Sequence, residues 1–529
     1  MLAKINSSAL FGIDAFRVSV EVSVTKGLGY IITGLPDDGI KESLSRIAIA
    51  IHNIDFQMPR TKLVINLAPA DVRKTGTAFD LPITLGILLA TEQISDIEKL
   101  RDFVIIGEIG LDGSIFPVRG AFCMAYQAAK NGYKGIILPK TNAQEAALVK
   151  GIKVYGVSHI KEILEFIQAD IALTPVKPIP FNPKAKLNGP DFNEVKGQSR
   201  VKRALEIAAA GGHNALLIGP PGNGKTMLAS RLPSILPPLT MEEALETTRV
   251  HSVLSQREHL TSLIRERPFR SPHHTSSDIA LGGGGSIPMP GEISLAHNGV
   301  LFLDELPEFK RSAIEVLRQP LEARKVLIAR VKCSIEYPAT FMLLAAMNPC
   351  ICGYLGHPTR KCTCNKTAIY WYRRRISGPI LERIDLHIEA ESLSISDIIE
   401  REEVQESSAV IRERVMKARK IQTTRFESET GVHCNAQMPE NRIEEYCKLD
   451  KPTKDYLLRS MDLLQLSVRA YSRILKVSRT IADLKGSKEI RLDHVAEAIS
   501  FRTLDKPFLI VSGKKVAKPP LTNSNHSFL

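Results

Sequence analysis

Long apolar runs are missing from this sequence of 529 residues. No window approaches the roughly eighteen consecutive apolar residues that a membrane-spanning helix needs. The stretch from Met1 to Val20 alternates polar and apolar side chains, and it lacks the apolar block and the small-residue cleavage site of a signal peptide. We therefore expect a cytoplasmic protein with no membrane partner.

Internal repeats are also absent, and lysine and arginine outnumber the acidic residues, giving a formal charge of +13. Such an excess favours a polyanionic partner, since a nucleic acid releases condensed counterions when cations bind its phosphates. The hydrophobic content of 44% is ordinary for a globular protein. The length exceeds what one hydrophobic core usually serves, so several domains are expected.

Five segments are predicted along the chain. Residues 1–173 alternate strand and helix signals, which indicates a self-contained α/β domain. Residues 174–190 are rich in proline and should form an extended linker. Residues 191–391 contain short apolar strands separated by helical segments, the pattern of a parallel sheet with helices on both faces. Residues 392–510 have an all-helical pattern, and residues 511–529 have little apolar content and are expected to be a disordered tail.

A glycine-rich loop directly follows the predicted strand Ala215–Ile218 and matches the pattern G-x-x-x-x-G-K-[ST]. Its residues are Gly219, Pro220, Pro221, Gly222, Asn223, Gly224, Lys225 and Thr226. In such a loop the backbone amides close around phosphates, Lys225 would hold the β- and γ-phosphates of ATP, and Thr226 would ligate Mg²⁺. A simple glycine-rich turn is the alternative, but it would not explain the preceding strand or the acidic pair downstream.

Two further strand ends carry polar residues. Asp304 and Glu305 end the apolar strand Val300–Leu303, where open α/β sheets place ligands. Asp304 would support Mg²⁺ and Glu305 would orient the attacking water; the alternative is a helix-capping acid followed by Pro307. Asn348 ends the next apolar strand and is predicted to be a polar sensor of the γ-phosphate, whereas Asn-Pro alone is a turn signal.

This order of motifs, continued by Gly378-Pro-Ile-Leu-Glu-Arg383-Ile-Asp385, resembles AAA+ ATPases of the branch that contains magnesium-chelatase ATPase subunits and minichromosome-maintenance helicases. The resemblance implies that Arg383 reaches the γ-phosphate of a neighbouring subunit in a homo-hexamer. It also implies that Arg469, in Ser467-Val-Arg469, is the second sensor. Without the resemblance, an ion-paired surface arginine would explain each residue.

Over its whole length the sequence resembles the ComM/YifB family of magnesium-chelatase-like bacterial proteins. In the first domain, this resemblance is based on the motifs Asn66-Leu-Ala-Pro-Ala-Asp71, Lys74-Thr-Gly-Thr-Ala-Phe-Asp80 and Gly107-Glu-Ile-Gly-Leu-Asp112. These motifs also resemble the Lon protease domain fold. The serine and lysine positions of the Lon dyad read Ala78 and Phe122, so no proteolysis is expected. A role in DNA docking or ring assembly is implied instead.

Membership of this family implies an ATP-dependent, ring-forming DNA helicase that promotes branch migration as transforming DNA integrates. Its partners would be single-stranded and branched duplex DNA, with recombination proteins as further candidates. Arg330 and Lys332 lie in a short alternating segment that aligns with a DNA-gripping hairpin, where cations contact phosphate. Exposed cations on an edge strand are the alternative. The segment Arg267-Pro-Phe-Arg270-Ser-Pro-His273-His274 is the family's insertion. Its paired histidines suggest a metal site, but consecutive residues rarely converge on one ion, so a mobile loop that contacts DNA or a neighbour is expected.

Four cysteines are grouped in the segment 350–364 and could complete a tetrahedral, structural zinc site. They are Cys350, Cys352, Cys362 and Cys364, with His357 as a spare ligand. Each pair is one residue shorter than the usual C-x₂-C spacing, and mobile, solvent-facing thiols are the alternative. A second function also stays open, namely an ATPase that remodels a protein partner as in magnesium chelatase. The Asp-x-Ser-x-Ser motif of that system's partner is absent from this sequence.

Overall fold

The computed structural model describes residues 2–95, 97–169, 171–178, 189–254, 263–285, 288–330, 333–390, 405–429, 431–502 and 504. Lys332, most of the proline-rich segment and the expected disordered tail therefore lie outside the described residues. Among the helices of the described ranges, none combines the length and the apolar character that crossing a bilayer requires.

The first part of the chain contains two main sheets. Four strands are paired in the order Leu2–Phe11, Asp14–Thr25, Lys62–Ala68 and Tyr30–Thr33. The long hairpin that opens this sheet buries alternate residues, as a half-covered antiparallel pair should. The helix Asp80–Ala90 is buried along its whole length beneath the sheet, which explains its continuous apolar sequence. The other covering helix is Asp38–Asn53.

A second, parallel sheet follows, with strands Phe103–Ile105, Gly135–Pro139 and Lys153–Val157 in that order. The helices Ala121–Lys130 and Ile160–Gln168 complete this α/β unit. Beyond it, Val176 donates its backbone amide to the carbonyl of Val154, so the start of the proline-rich segment runs beside the last strand.

The central part is a five-stranded parallel sheet. Its strands are ordered Phe269–Arg270, Val300–Leu303, Met342–Met347, Ala215–Ile218 and Leu386–Glu389. Neighbouring side chains enter different cores: Leu217 packs toward the helical region, whereas Leu216 packs on the opposite face. This alternation explains why the strands are apolar at every position. The flanking helices include Ser199–Gly211, Lys225–Ile235 and Met241–Ser252.

The last described part is helical, as predicted. Its principal helices are Ser408–Arg425, Lys451–Leu464, Val468–Leu484 and Leu492–Ser500. Val415 and Ile481 from this region share a hydrophobic core with Leu217 of the sheet. The helical region therefore packs directly on one face of the parallel sheet.

The first and central parts are in contact. Arg249, on the helix Met241–Ser252, forms an ion pair with Asp14 at the start of the second strand of the opening hairpin. The amide of Gly120 donates to the carbonyl of Ser252. A second hairpin, Lys325–Arg330 with Cys333–Pro338, packs on the core of the central part, and its Ile335 also contacts Gly12.

Candidate nucleotide site and cysteine cluster

Three of the parallel strands end at the same edge. Ile218 lies opposite Met347, and Leu303 lies opposite Ala345, so the residues that follow each strand emerge side by side. Ligands bind at this carboxyl edge in open α/β sheets. The register therefore brings the glycine-rich loop, the acidic pair and Asn348 together, as their positions in the sequence predicted.

The strand ends enclose a cavity of about 410 Å³. It is lined by Pro221, Gly222, Asn223, Gly224, Lys225, Thr226, Met227, Asp304, Glu305, Met347 and Asn348. Gly222 and Gly224 have φ angles of 82° and 72°, in the region that favours glycine. The helix Lys225–Ile235 starts directly after this turn, so its amino terminus points its free amides at the cavity.

Lys225 lies beneath the loop. Its Nζ donates to the carbonyl oxygens of Gly219 and Pro220, at 2.8 Å each, and lies 3.4 Å from Oδ1 of Asn348. Gly219 and Pro220 do not line the cavity, but their carbonyl oxygens hold the Lys225 ammonium group in place. Burial lowers the pKa of Lys225, while Asp304 and Glu305 oppose that shift.

Thr226 and Asp304 meet across the cavity. The Thr226 hydroxyl donates to Oδ2 of Asp304 over 2.6 Å. A hydroxyl and a carboxylate are oxygen ligands of the type that Mg²⁺ takes beside nucleotide phosphates. The donor set therefore fits the predicted magnesium ligands.

Glu305 has a φ of 51°, which is uncommon for a residue with a side chain. Its carboxylate is partly exposed, and its Oε2 lies 3.3 Å from Nδ1 of His274. The sequence indicated the paired histidines but not this contact, because His274 lies thirty-one positions before Glu305 in the chain. His274 is thus a candidate site residue that the motifs did not reveal.

The segment that carries His274 differs from the predicted mobile loop. Phe269–Arg270 is the outer strand of the parallel sheet. Arg267 is ion-paired with Glu243, and Arg270 forms two hydrogen bonds with the carboxylate of Glu292. These arginines therefore hold the central part together, which corrects the expectation for the first half of this segment.

Arg383 and Arg469 lie away from the cavity just described, among whose lining residues neither appears. Arg383 is only 4% exposed and forms an ion pair with Glu322. Nη1 of Arg469 lies 2.6 Å from Oε2 of Glu382, the residue that precedes Arg383. Neither arginine therefore lines this chain's own cavity, and Arg469 contacts the residue next to Arg383 in the chain.

Asp385, in the same motif, joins the sheet to the helical region. Its carboxylate accepts a hydrogen bond from Arg473 over 2.7 Å and another from the amide of Asn214. Burial alone would raise the pKa of Asp385, but Arg473 and the imidazole of His213 together hold it well below its usual range. The sequence did not predict this role.

The four predicted cysteines converge. All four sulfur atoms lie within 4.8 Å of one another, and the Sγ–Sγ distances include 3.4, 3.5 and 3.7 Å. Zn–S bonds of about 2.3 Å would place tetrahedral sulfurs ~3.8 Å apart, so the set is compatible with zinc. Backbone amides of Tyr354 and Thr363 lower the pKa of Cys352, which favours the thiolate that a metal requires. His357 is not part of the cluster, and its Nδ1 accepts backbone amides instead.

The remaining predicted residues are spread over two regions. Arg330 is exposed at the end of the strand Lys325–Arg330, in the second hairpin. Ala78 and Phe122 are both buried in one hydrophobic cluster of the first part. A methyl group and a phenyl ring offer neither a nucleophile nor a base.

A parallel sheet of this strand order, a phosphate loop, an acidic strand end and a helical region packed behind them define an AAA+ P-loop core. Three family descriptions match the chain: "Magnesium chelatase, subunit ChlI" over residues 191–398, "Subunit ChlI of Mg-chelatase" over 20–142, and "Magnesium chelatase, subunit ChlI C-terminal" over 405–502. Together with the full-length relatives below, they show that the chain belongs to the ComM/YifB family of magnesium-chelatase-like proteins.

Several relatives match nearly end to end, among them the two that follow. The chain is 43% identical to YifB of Escherichia coli, over 96% of this chain and 98% of that protein. It is also 43% identical to the competence protein ComM of Haemophilus influenzae, over 95% of this chain and 98% of that protein. Shorter matches are the DNA repair protein RadA of Escherichia coli (27% identity, 24% of this chain, 27% of that protein) and Lon protease 3 of Sorangium cellulosum (25%, 30% and 20%).

Proposed function

We propose that this protein is an ATP-hydrolysing, ring-forming DNA translocase that promotes branch migration during integration of transforming DNA. One observation supports this proposal most: within one chain, the residues expected to bind ATP lie apart from the arginines expected to complete the site. The phosphate loop, Asp304, Glu305 and Asn348 line one cavity, while Arg383 and Arg469 lie elsewhere. The near full-length similarity to the competence protein ComM supports the DNA task.

The residues around the cavity suit phosphoryl transfer. Lys225 and the helix terminus would hold the phosphates of ATP, while Thr226 and Asp304 would hold Mg²⁺, which supplies neutralising charge when bound. Glu305 would orient the attacking water, with His274 holding its carboxylate. Asn348, within reach of Lys225, would sense the γ-phosphate.

The two arginines would complete the site of a neighbouring subunit. A ring of identical subunits places the same surface of each copy against the next one. Arg383 would act as a finger in trans, which requires it to exchange its contact with Glu322 for phosphate. Because Arg469 is paired with the adjacent Glu382, we assign it to the same subunit boundary. The family resemblance supports a homo-hexamer as the ring.

DNA contacts are proposed at the end of the second hairpin. Arg330 is exposed there, and Lys332 follows two positions later in the sequence. Cations at that place would contact phosphates without reading the base sequence.

We propose the following domains. Residues 1–173 form a non-proteolytic Lon-like domain for docking DNA or building the ring, 174–190 the linker, 191–391 the motor core, 392–510 the lid and 511–529 the tail. The protein is expected to work in the cytoplasm.

The cysteine cluster is proposed to hold one structural zinc ion. Its four sulfurs would close the coordination shell, so the metal would order the loop between Cys352 and Cys362 rather than act on a substrate. Metal analysis of the purified chain should find about one zinc per chain, and none after replacing Cys352 and Cys362 with serine. A Cys447→Ser variant, altered at a buried cysteine outside the cluster, should retain the metal.

The function is tested on a labelled three-strand DNA junction with ATP. Wild type should migrate the branch, whereas Glu305→Gln and Arg383→Ala should each lose roughly 10²-fold or more in rate. Glu242→Gln is the matched control, because this carboxylate is exposed and does not line the cavity. Failure of the wild type on every DNA offered, with ATP hydrolysis intact, would contradict the DNA task.

One observation favours a second function. All three family descriptions that match the chain are of a magnesium-chelatase subunit, which makes remodelling of a protein partner the alternative. DNA and a protein partner make opposite predictions for ATP turnover. Stimulation by single-stranded DNA supports the translocase, and indifference to DNA supports the alternative.

A further inference from the structure

The helix Lys366–Arg373, which follows the cysteine cluster, presents aromatic rings to solvent. Trp371 is the single tryptophan of the chain and is 60% exposed. The guanidinium carbon of Arg374 lies 5.1 Å from the ring centre of Tyr370 and 6.0 Å from that of Trp371. Ile369 and Tyr372 form the buried side of the helix. This side of the helix therefore carries an aromatic pair with a cation close to both rings.

The same segment carries charge of one sign. No aspartate or glutamate occurs between Glu336 and Glu382. The basic residues of this interval are Arg360, Lys361, Lys366, Arg373, Arg374 and Arg375. Four of them, Arg360, Lys361, Lys366 and Arg374, are exposed and form no ion pair with any described residue. We name Tyr370, Trp371, Arg374 and Lys366 the aromatic-basic face.

We infer that the aromatic-basic face binds a single DNA strand, an inference that rests on the proposed DNA function. Proteins bind single strands with cations along the backbone and with aromatic rings on which bases stack. Lys366 and Arg374 supply the first, Trp371 and Tyr370 the second. An acidic peptide would satisfy the cations but leave the exposed rings without a matching group, so nucleic acid fits both features.

The face is linked to the nucleotide cavity by a short path. Arg375, just after the helix, is paired with Glu308 over 2.9 Å, and the amide of Glu308 donates to the carbonyl of Glu305 over 2.7 Å. A strand on the aromatic-basic face can therefore bias the position of Glu305.

The single tryptophan makes the test direct. Titration of the full-length protein with an oligodeoxythymidylate strand should quench Trp371 fluorescence as bases stack on the ring. With a labelled strand, Trp371→Ala and Arg374→Ala should each weaken binding about tenfold, and Arg374→Ala should lower the log–log salt slope by about one. Tyr456→Ala, at an exposed tyrosine of the helix Lys451–Leu464, should bind as wild type.

Thermal unfolding of each variant shows whether weaker DNA binding comes from lost DNA contacts or from a damaged fold. Because Trp371 and Arg374 are exposed, the unfolding temperature should change little. Tight strand binding by wild type with unchanged tryptophan fluorescence, and equal binding by both variants, would overturn the inference and leave the proposed function standing. Fluorescence that changes with protein concentration and not with DNA would also overturn it, because the face would then lie between copies. Absence of any DNA binding by wild type would remove the proposed function and the inference together.

Discussion

Gly353, in the loop of the cysteine cluster, packs directly on Pro221 of the phosphate loop. An ideal Cβ placed on Gly353 would lie 2.7 Å from Cδ of Pro221 and 4.0 Å from Cγ of Asn348. Gly353 also has a φ of 82°. The cysteine cluster and the nucleotide cavity are therefore in van der Waals contact, with a glycine at the point of closest approach.

Replacing Gly353 with alanine should displace Pro221 and raise the KM for ATP several-fold, because the phosphate loop would shift. Gly356→Ala is a matched control: its φ is 79°, but a Cβ there would meet no atom within 4 Å. The two variants share backbone strain and differ only in the contact. Steady-state kinetics should show the change in Gly353→Ala alone, and equal kinetics would refute the contact's role.

His274→Ala should lower kcat for ATP hydrolysis by about tenfold with little change in KM, because a positioned water acts only in the transition state. The reason is the 3.3 Å approach of His274 to Glu305. His52→Ala, at an exposed histidine of the helix Asp38–Asn53, is the control, because the ring of His273 lies 4.1 Å from that of His274 and its loss would disturb His274 itself. Equal losses in both variants, or a change in KM only, would argue against a positioning role for His274.

Asp385→Asn should destabilise the protein by about 3 kcal/mol near neutral pH, because Arg473 would keep its charge in a buried site without its partner. The folded-state pKa of Asp385 is depressed, so its stabilising contribution is present above the unfolded value of about 4 and is lost as the pH falls below it.

Urea unfolding across this range should therefore show the difference between wild type and Asp385→Asn narrowing below about pH 4. Asp38→Asn, at an exposed pair with Lys41, should change stability little at any pH. A gap between wild type and Asp385→Asn that is constant with pH would contradict the assignment.

Much of the central fold follows from the sequence because short apolar runs next to diagnostic motifs leave few alternatives. Ala215–Ile218 and Val300–Leu303 begin and end where predicted. The alternation of polar and apolar residues over Leu2–Phe11 does not by itself define a strand. Its pairing with Asp14–Thr25 is fixed by the burial of one face of the sheet, which only the folded chain shows.

The residues of the candidate site can also be divided into those that the sequence predicts and those that only the fold reveals. The chemistry of Lys225, Asp304 and Glu305 is contained in local motifs. The contacts of His274 with Glu305, Gly353 with Pro221 and Arg383 with Glu322 join distant segments, and no local pattern encodes them. Arg383 was expected at a subunit boundary, but its burial against Glu322 could be learned only from the folded chain.

The central claim, an ATP site completed by a neighbouring copy, is tested most directly by mixing two inactive variants. Glu305→Gln retains Arg383, and Arg383→Ala retains Glu305, so random co-assembly should restore about a quarter of the boundaries and about a quarter of the wild-type ATPase rate. A mixture of Arg383→Ala with the double variant E305Q/R383A contains no intact boundary and should stay inactive. Recovery in the first mixture alone is the predicted result; no recovery in either, with co-assembly verified, would contradict the shared site.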